Sequence, residues 1–262
     1  MAVKKSTHHH QVTFDFPIKS ILPGADENLL LIETADATLK QQTFLLLSFI
    51  PLEIVKAIAF GPEYSGLVLK SYTTNSLLFN QYSDQNNPDQ SNILSFNWDG
   101  GDPTFSLTNT KIIQSGPGWI QIPHPNFTSR KIYLDLDSGT EMKHEPAIVD
   151  NIDHLAKIQY AIAYPEASEY FQWFVQYFST HDIVPCRQIE YLKTDDKFLI
   201  SFYEESEKGL VNSLAILETD GQMLECILLE DQLTGIGKDT FFVFRNKTIF
   251  VTQKNTLNIY DV

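Results

Sequence analysis

Cysteine is nearly absent: the 262 residues contain two, Cys186 and Cys226. Two thiols cannot build a disulfide scaffold or a four-cysteine zinc cluster. Basic residues are also few. Nineteen Lys and Arg stand against 33 Asp and Glu, a formal net charge of −14. Nucleic-acid binding needs clustered cations, so that class is excluded. Long apolar runs are missing too. The longest, Phe44 to Leu52, is broken by Ser48 and Pro51, well short of the roughly 20 residues that span a bilayer. No apolar stretch follows Lys4 and Lys5, so no secretory signal is read. The expectation is a cytoplasmic protein with reduced thiols, a Cys186–Cys226 disulfide being the alternative. Residues 1–10, with His8 to His10, are expected to be disordered. Gly and Pro, at 12 each, are too few for a collagen-like or low-complexity chain.

Recognisable catalytic spacings are lacking as well. There is no HExxH, CxxC or GxSxG pattern, and no metal or cofactor is expected. Gly235-Ile236-Gly237-Lys238-Asp239-Thr240 departs from a phosphate loop, with one residue between its glycines and Asp after Lys; it reads as a tight turn. Cys186 lies between Pro185 and Arg187. A neighbouring cation lowers a thiol pKa, but an inert buried thiol is the commoner state.

What is present is β. Runs rich in β-branched and aromatic residues alternate with Gly, Asp, Asn and Pro. Leu214 to Glu218, the turn Thr219-Asp220-Gly221, and Met223 to Leu229 read as a hairpin. Phe241 to Phe244, Thr248 to Thr252 and Leu257 to Tyr260 read as a meander with turns at Asn246–Lys247 and Lys254–Asn255. Leu30 to Leu39 resembles Leu214 to Leu224, and similar units lie at Ile93 to Leu107 and Ile132 to Met142. Turn glycines at 100, 139 and 221 suggest a period near 40, the length of a propeller blade. The fold expected is therefore mainly β: one propeller-like domain over 1–262, of about five to six antiparallel blades. Val12 to Phe16 would complete the last blade. Ser71 to Ser91, containing SDQNNPDQS, reads as one long loop.

One segment breaks the pattern. Pro165 to Thr180 reads as an inserted amphipathic helix near 166–179, with strand alternation as the alternative. Pro165 and Glu166 suit a first turn, and Tyr170, Trp173, Phe174 and Tyr177 form a stripe at i, i+3, i+4 and i+7. Trp173 is then the anchor docking the helix onto the sheets.

The stretch from Tyr191 to Val262, with KFLISFYEESEKGLVNSLAILETDGQMLE and TFFVFRNKTIFVTQKNTLNIY, resembles a family of uncharacterised bacterial proteins of about this length. That resemblance implies no activity. The middle, NPDQSNILSFNWDGG to IYLDLDSGTEM, is similar to the strand–turn units of quinoprotein and WD-type propeller repeats, with Trp98-Asp99 and Tyr260-Asp261 closing strands. Phe105 and Met142 stand where the quinoprotein repeat has a stacking Trp, so the resemblance implies architecture and no quinone.

Candidate binding residues follow from the turns. Trp98, Asp99 and Asp102 flank Gly100-Gly101, Trp119 follows Gly118, and His124 sits between Pro123 and Pro125. In a propeller such loops ring one face, where an exposed Trp anchors a ligand or peptide; a Trp packed between blades is the alternative. The function expected is non-enzymatic: a binding or scaffold protein, monomer or weak homodimer, meeting a basic or neutral protein or peptide. The alternative is a hydrolase acting on a sugar or small metabolite through carboxylates at the propeller mouth.

Overall fold

The computed structural model describes residues 3–5, 9–24, 28–38, 40–82, 91–116, 118–146 and 158–261. The protein is mainly β: antiparallel sheets dominate, with one α-helix among the described residues. The chain forms two compact units, Lys19–Asn151 and Met1–Ile18 with Ile152–Val262.

The unit over Lys19–Asn151 carries three meandering sheets. The first joins Ile18–Pro23, Leu29–Ala35, Gln42–Phe49 and Leu52–Phe60 in chain order. The second joins Leu67–Tyr72, Ser76–Tyr82, Ser91–Asn97 and Phe105–Leu107, and the third Gln114–Gly116, Trp119–His124 and Phe127–Asp135. Strand period two explains how two cores arise from these runs. In Ser76–Tyr82, Leu77 and Phe79 enter a core with Phe44, Phe60, Phe96 and Trp98. Leu78 points the other way, among Ile93, Ile120, Ile132 and Leu134. Both faces are buried, so Leu77-Leu78-Phe79 is continuously apolar. The aromatic rings pack edge to face, Phe60 against Phe96 at 4.8 Å and 68°, the arrangement ring quadrupoles prefer.

The expected long loop over Ser71 to Ser91 is corrected. Leu67–Tyr72 and Ser76–Tyr82 form a hairpin, with Tyr72 opposite Leu77. The turn is made by Thr73, whose Oγ1 accepts from the backbone N of Asn75 and of Ser76, both at 3.0 Å. Residues 83–90, most of SDQNNPDQS, lie outside the described residues. The period of about 40 is also corrected. Four of the sheets open along the chain at Ile18, Leu67, Gln114 and Ile162, steps of 49, 47 and 48 residues. Gly100 and Gly139 each follow the third strand of their sheet, 33 residues after Leu67 and 25 after Gln114, so their 39-residue step is shorter than the 47 between those openings.

Asp137 ties two turns of this unit together. It accepts from Thr73 Oγ1 at 2.9 Å, from Asn75 Nδ2 at 3.2 Å, and from Ser76 Oγ. Burial works to raise its pKa, but the hydrogen bonds from Ser76, Asn75 and Thr73 together outweigh it and the net shift is downward. A carboxyl with a folded pKa below its unfolded value near 3.9 contributes stability above that value. The contribution is lost as pH falls through the folded pKa. Melting curves of the protein and of Asp137→Asn should therefore differ most at about pH 7 and converge towards about pH 3. A gap independent of pH would mean that ionised Asp137 contributes nothing.

The second unit holds two sheets. One joins Ile162–Pro165, Cys186–Lys193, Lys197–Ser206, Gly209–Glu218 and Met223–Leu233 in chain order. The other runs Val3–Lys5, His9–Thr13, Thr256–Asp261, Lys247–Thr252, Phe241–Phe244, Ile158–Tyr160. Residues 1–10, expected from sequence to be disordered, thus include one strand and the start of another. His9–Thr13 lies antiparallel to the C-terminal strand, with Val12 opposite Leu257 and both buried. The turn after Phe244 has Arg245 and Asn246 at φ 53° and 59°, the two positive values a type I′ hairpin requires.

Helix α1 spans Phe171–Ser179. It begins at 171 rather than 166 because Pro165 still belongs to a strand and the Glu166 N–H bonds to Arg187 O at 2.8 Å. Its buried stripe is Phe171, Phe174, Val175 and Phe178, packed on Ile189, Ile200, Phe202 and Leu217. Trp173 is not the docking anchor. It is 65% exposed, while Phe171 and Phe178 are buried. The stripe is one residue, or about 100°, away from the expected one.

Candidate functional site

The sequence-expected residues divide between core and surface. Trp98 is 5% exposed within the aromatic core, and its Nε1 donates to Thr73 O at 3.1 Å. Trp119 is also 5% exposed, edge-on to Tyr133 at 5.5 Å. A Cβ on Gly116 would come within 2.4 Å of its indole, which explains the glycine there. Neither ring is offered to a partner. Asp99 is exposed, and Asp102 shares a hollow of about 400 Å³ with Gly100, Gly101, Glu63 and Tyr64. His124 is half-buried against Phe127, at 4.9 Å between rings, and its Nδ1 accepts from Asn126 N at 3.0 Å. Trp119 and His124 open and close the same strand, about 17 Å apart at 3.3 Å per residue.

Gly235 to Thr240 has its anion site filled by the protein itself. Glu190, 1% exposed, accepts from Asp239 N at 2.8 Å, Thr240 N at 2.9 Å and Thr240 Oγ1 at 2.7 Å. Gly237 N donates to Tyr203 Oη at 2.8 Å. These donors are already engaged, so the segment is a pinned turn.

The cysteines carry no visible chemistry. Cys186 and Cys226 are free and lie on the second and fifth strands of one sheet. Three strand spacings separate them by roughly 14 Å, beyond the reach of a disulfide. Burial, then Glu205, raises the pKa of Cys186, and Arg187 only partly offsets them. Burial, then Glu204, raises that of Cys226. Among the described residues no group of three His, Cys, Asp or Glu could hold a metal, and no helix is long and apolar enough to cross a membrane.

The unexpected feature is an aromatic surface at α1. Trp173 and Tyr170, 65% and 42% exposed, meet at 5.0 Å and 90°. Tyr170 in turn meets Tyr164 at 5.6 Å, and Tyr164 meets Phe174 at 5.6 Å. Tyr164 lies on the outermost strand of the five-stranded sheet, beside exposed Ile162. The turn leading into α1 carries exposed Glu166 and Glu169. Large rings, half in water and fixed by one another, suit a contact surface. The sequence held this signal in the dense aromatic run EYFQWFVQYF, which is more than one buried stripe can absorb.

No family model and no curated protein matches the chain. Among solved structures it is similar to the β-propeller domain of the trilobed protease from Pyrococcus furiosus, at 14% identity and a TM-score of 0.31. That match covers 93% of this chain, which spans only 65% of the matched one. It is also similar to an uncharacterised protein of Listeria monocytogenes EGD-e, at 11% identity and a TM-score of 0.32, covering 97% of this chain and 88% of that one. At these values neither match assigns a fold, an activity or a partner.

Proposed function

We propose that the protein is a cytoplasmic, non-enzymatic binding or scaffold protein that recognises a basic segment of a peptide or protein. Its sheets, five among the described residues, serve as propeller blades in this reading, and the N-terminal strand completes the last of them. The observation that carries it is the exposed Tyr170–Trp173 pair beside Glu166 and Glu169. An aromatic face attracts a guanidinium or ammonium group, and the net charge of −14 steers cations towards the protein.

Fluorescence titration tests this directly. Trp98 and Trp119 are buried, so Trp173 is the indole that a bound peptide reaches. Saturable quenching by an oligoarginine peptide is expected and none with oligoglutamate, and binding of the same peptide followed by calorimetry is expected to be lost in Trp173→Ala. Binding that persists unchanged in Trp173→Ala, or none at all, refutes the reading.

A further inference from the structure

A second site, independent of the aromatic surface, lies within Lys19–Asn151. It is a groove of about 920 Å³ with Glu33 and Gln42 at its base, Lys19 and Lys40 among its lining residues, and Leu22 and Val68 as apolar walls. We propose that this groove binds a zwitterionic ligand, an amino acid or short peptide with an apolar side chain, Glu33 taking its ammonium group and Lys19 and Lys40 its carboxylate.

The groove holds a fixed acceptor set. Ser20 Oγ donates to Glu33 Oε2 at 2.9 Å, and Gln42 Nε2 donates to Glu33 Oε1 at 3.3 Å. Gln42 Nε2 also donates to Leu67 O at 3.2 Å. Both amide hydrogens of Gln42 face acceptors, which fixes the orientation of its carboxamide. Gln42 is 3% exposed, and its Oε1 is buried without a hydrogen-bond partner. That oxygen is closed to solvent, so what the groove offers a ligand is the Glu33 carboxylate, whose two oxygens each accept one hydrogen bond and keep lone pairs for the three donors of an ammonium. An anionic or purely apolar group supplies no such donors.

The cations complete the complement. Among the described residues neither Lys19 nor Lys40 has an ion-pair partner. Lys40 is held at the rim by its backbone, because Asp36 Oδ1 accepts from Lys40 N at 2.9 Å and from Gln41 N at 3.2 Å. Leu22 and Val68 are each 41% exposed, an apolar face left open to solvent in a groove of small-molecule size. Separate acceptors and cations with apolar walls match a molecule that carries both charges and an apolar body.

Calorimetric titration of the full chain tests this, with L-leucine and leucyl-leucine as probes against N-acetyl-leucine and leucinamide. Saturable binding of at least one zwitterion is expected. Removing either charge should weaken it about tenfold or more, the loss of one charge-assisted hydrogen bond. Glu33→Gln should bind the zwitterion no better than the wild type binds N-acetyl-leucine. Lys40→Gln, a rim change that leaves the buried hydrogen bonds intact, should weaken the zwitterion and leave leucinamide unchanged, and it serves if Glu33→Gln fails to fold. No saturable heat up to about 10 mM, or equal binding of N-acetyl-leucine, overturns the proposal.

Discussion

Glu190→Ala is expected to destabilise the Ile152–Val262 region far more than the loss of any exposed carboxylate on the same sheet. The Glu190 carboxylate is buried and accepts from Asp239 N, Thr240 N and Thr240 Oγ1. Removing it leaves the N–H groups of Asp239 and Thr240 without their acceptor, while Thr240 Oγ1 keeps Ser201 Oγ at 2.9 Å. An unsatisfied donor shut off from water costs about 1–3 kcal/mol, and these two are adjacent on a partly exposed segment and share relaxation, so about 2–4 kcal/mol is expected in all. In a chain of this size that lowers the melting temperature by roughly 10 °C. Glu190→Gln keeps one acceptor oxygen but turns an NH₂ towards N–H groups, so it should recover part of the loss and no more. Amide hydrogen exchange at Asp239 and Thr240 should accelerate in both variants. Glu205→Gln is the control. Its pair with Arg187, at 3.1 Å, is exposed on both sides, and such pairs contribute about 0–1 kcal/mol. If Glu190→Ala melts like Glu205→Gln, the pinned-turn account fails.

The contrast between Glu190 and the hairpins shows what a sequence makes legible. The turns at Asp220-Gly221 and Arg245-Asn246 are readable to within a residue because their causes are local. Glycine or asparagine takes the positive φ that the turn demands. The strands Gly209–Glu218 and Met223–Leu233 follow from the apolar runs beside the turn. Glu190 reaches Thr240 across 50 positions, and nothing near either residue encodes that meeting. The groove is similar: Ser20, Glu33 and Gln42 come from three neighbouring strands, and each alone reads as an ordinary polar strand residue. Trp98 and Trp119 read from sequence either as anchors or as rings packed between blades, and they are core residues; the sequence leaves that choice open for a related reason. Position beside a glycine turn says that a ring is near an end of a sheet, whereas burial depends on which core the strand's period delivers it to.

The same ambiguity of phase governs α1, where two substitutions separate packing from recognition. Phe178→Ala is expected to cost about 3–5 kcal/mol, the range for deleting a fully buried aromatic ring. Phe178 has no exposed surface, and its ring meets that of Phe202 at 4.5 Å. Removing it opens a cavity between the helix and the five-stranded sheet. Trp173→Ala, one helical face away and 65% exposed, should change stability by less than about 1 kcal/mol, yet abolish binding of oligoarginine. A nine-residue helix is not stable alone in water, so its packed stripe holds it in place and the outward stripe is free to serve another purpose. Under the phase expected from sequence the effects would be reversed, with Trp173→Ala unfolding the helix and Phe178→Ala nearly silent. Urea melts of the two variants, with oligoarginine titrations at a denaturant concentration where both stay folded, distinguish the two arrangements. Only the observed phase predicts a stable protein that has lost its ligand and a weakened one that still binds.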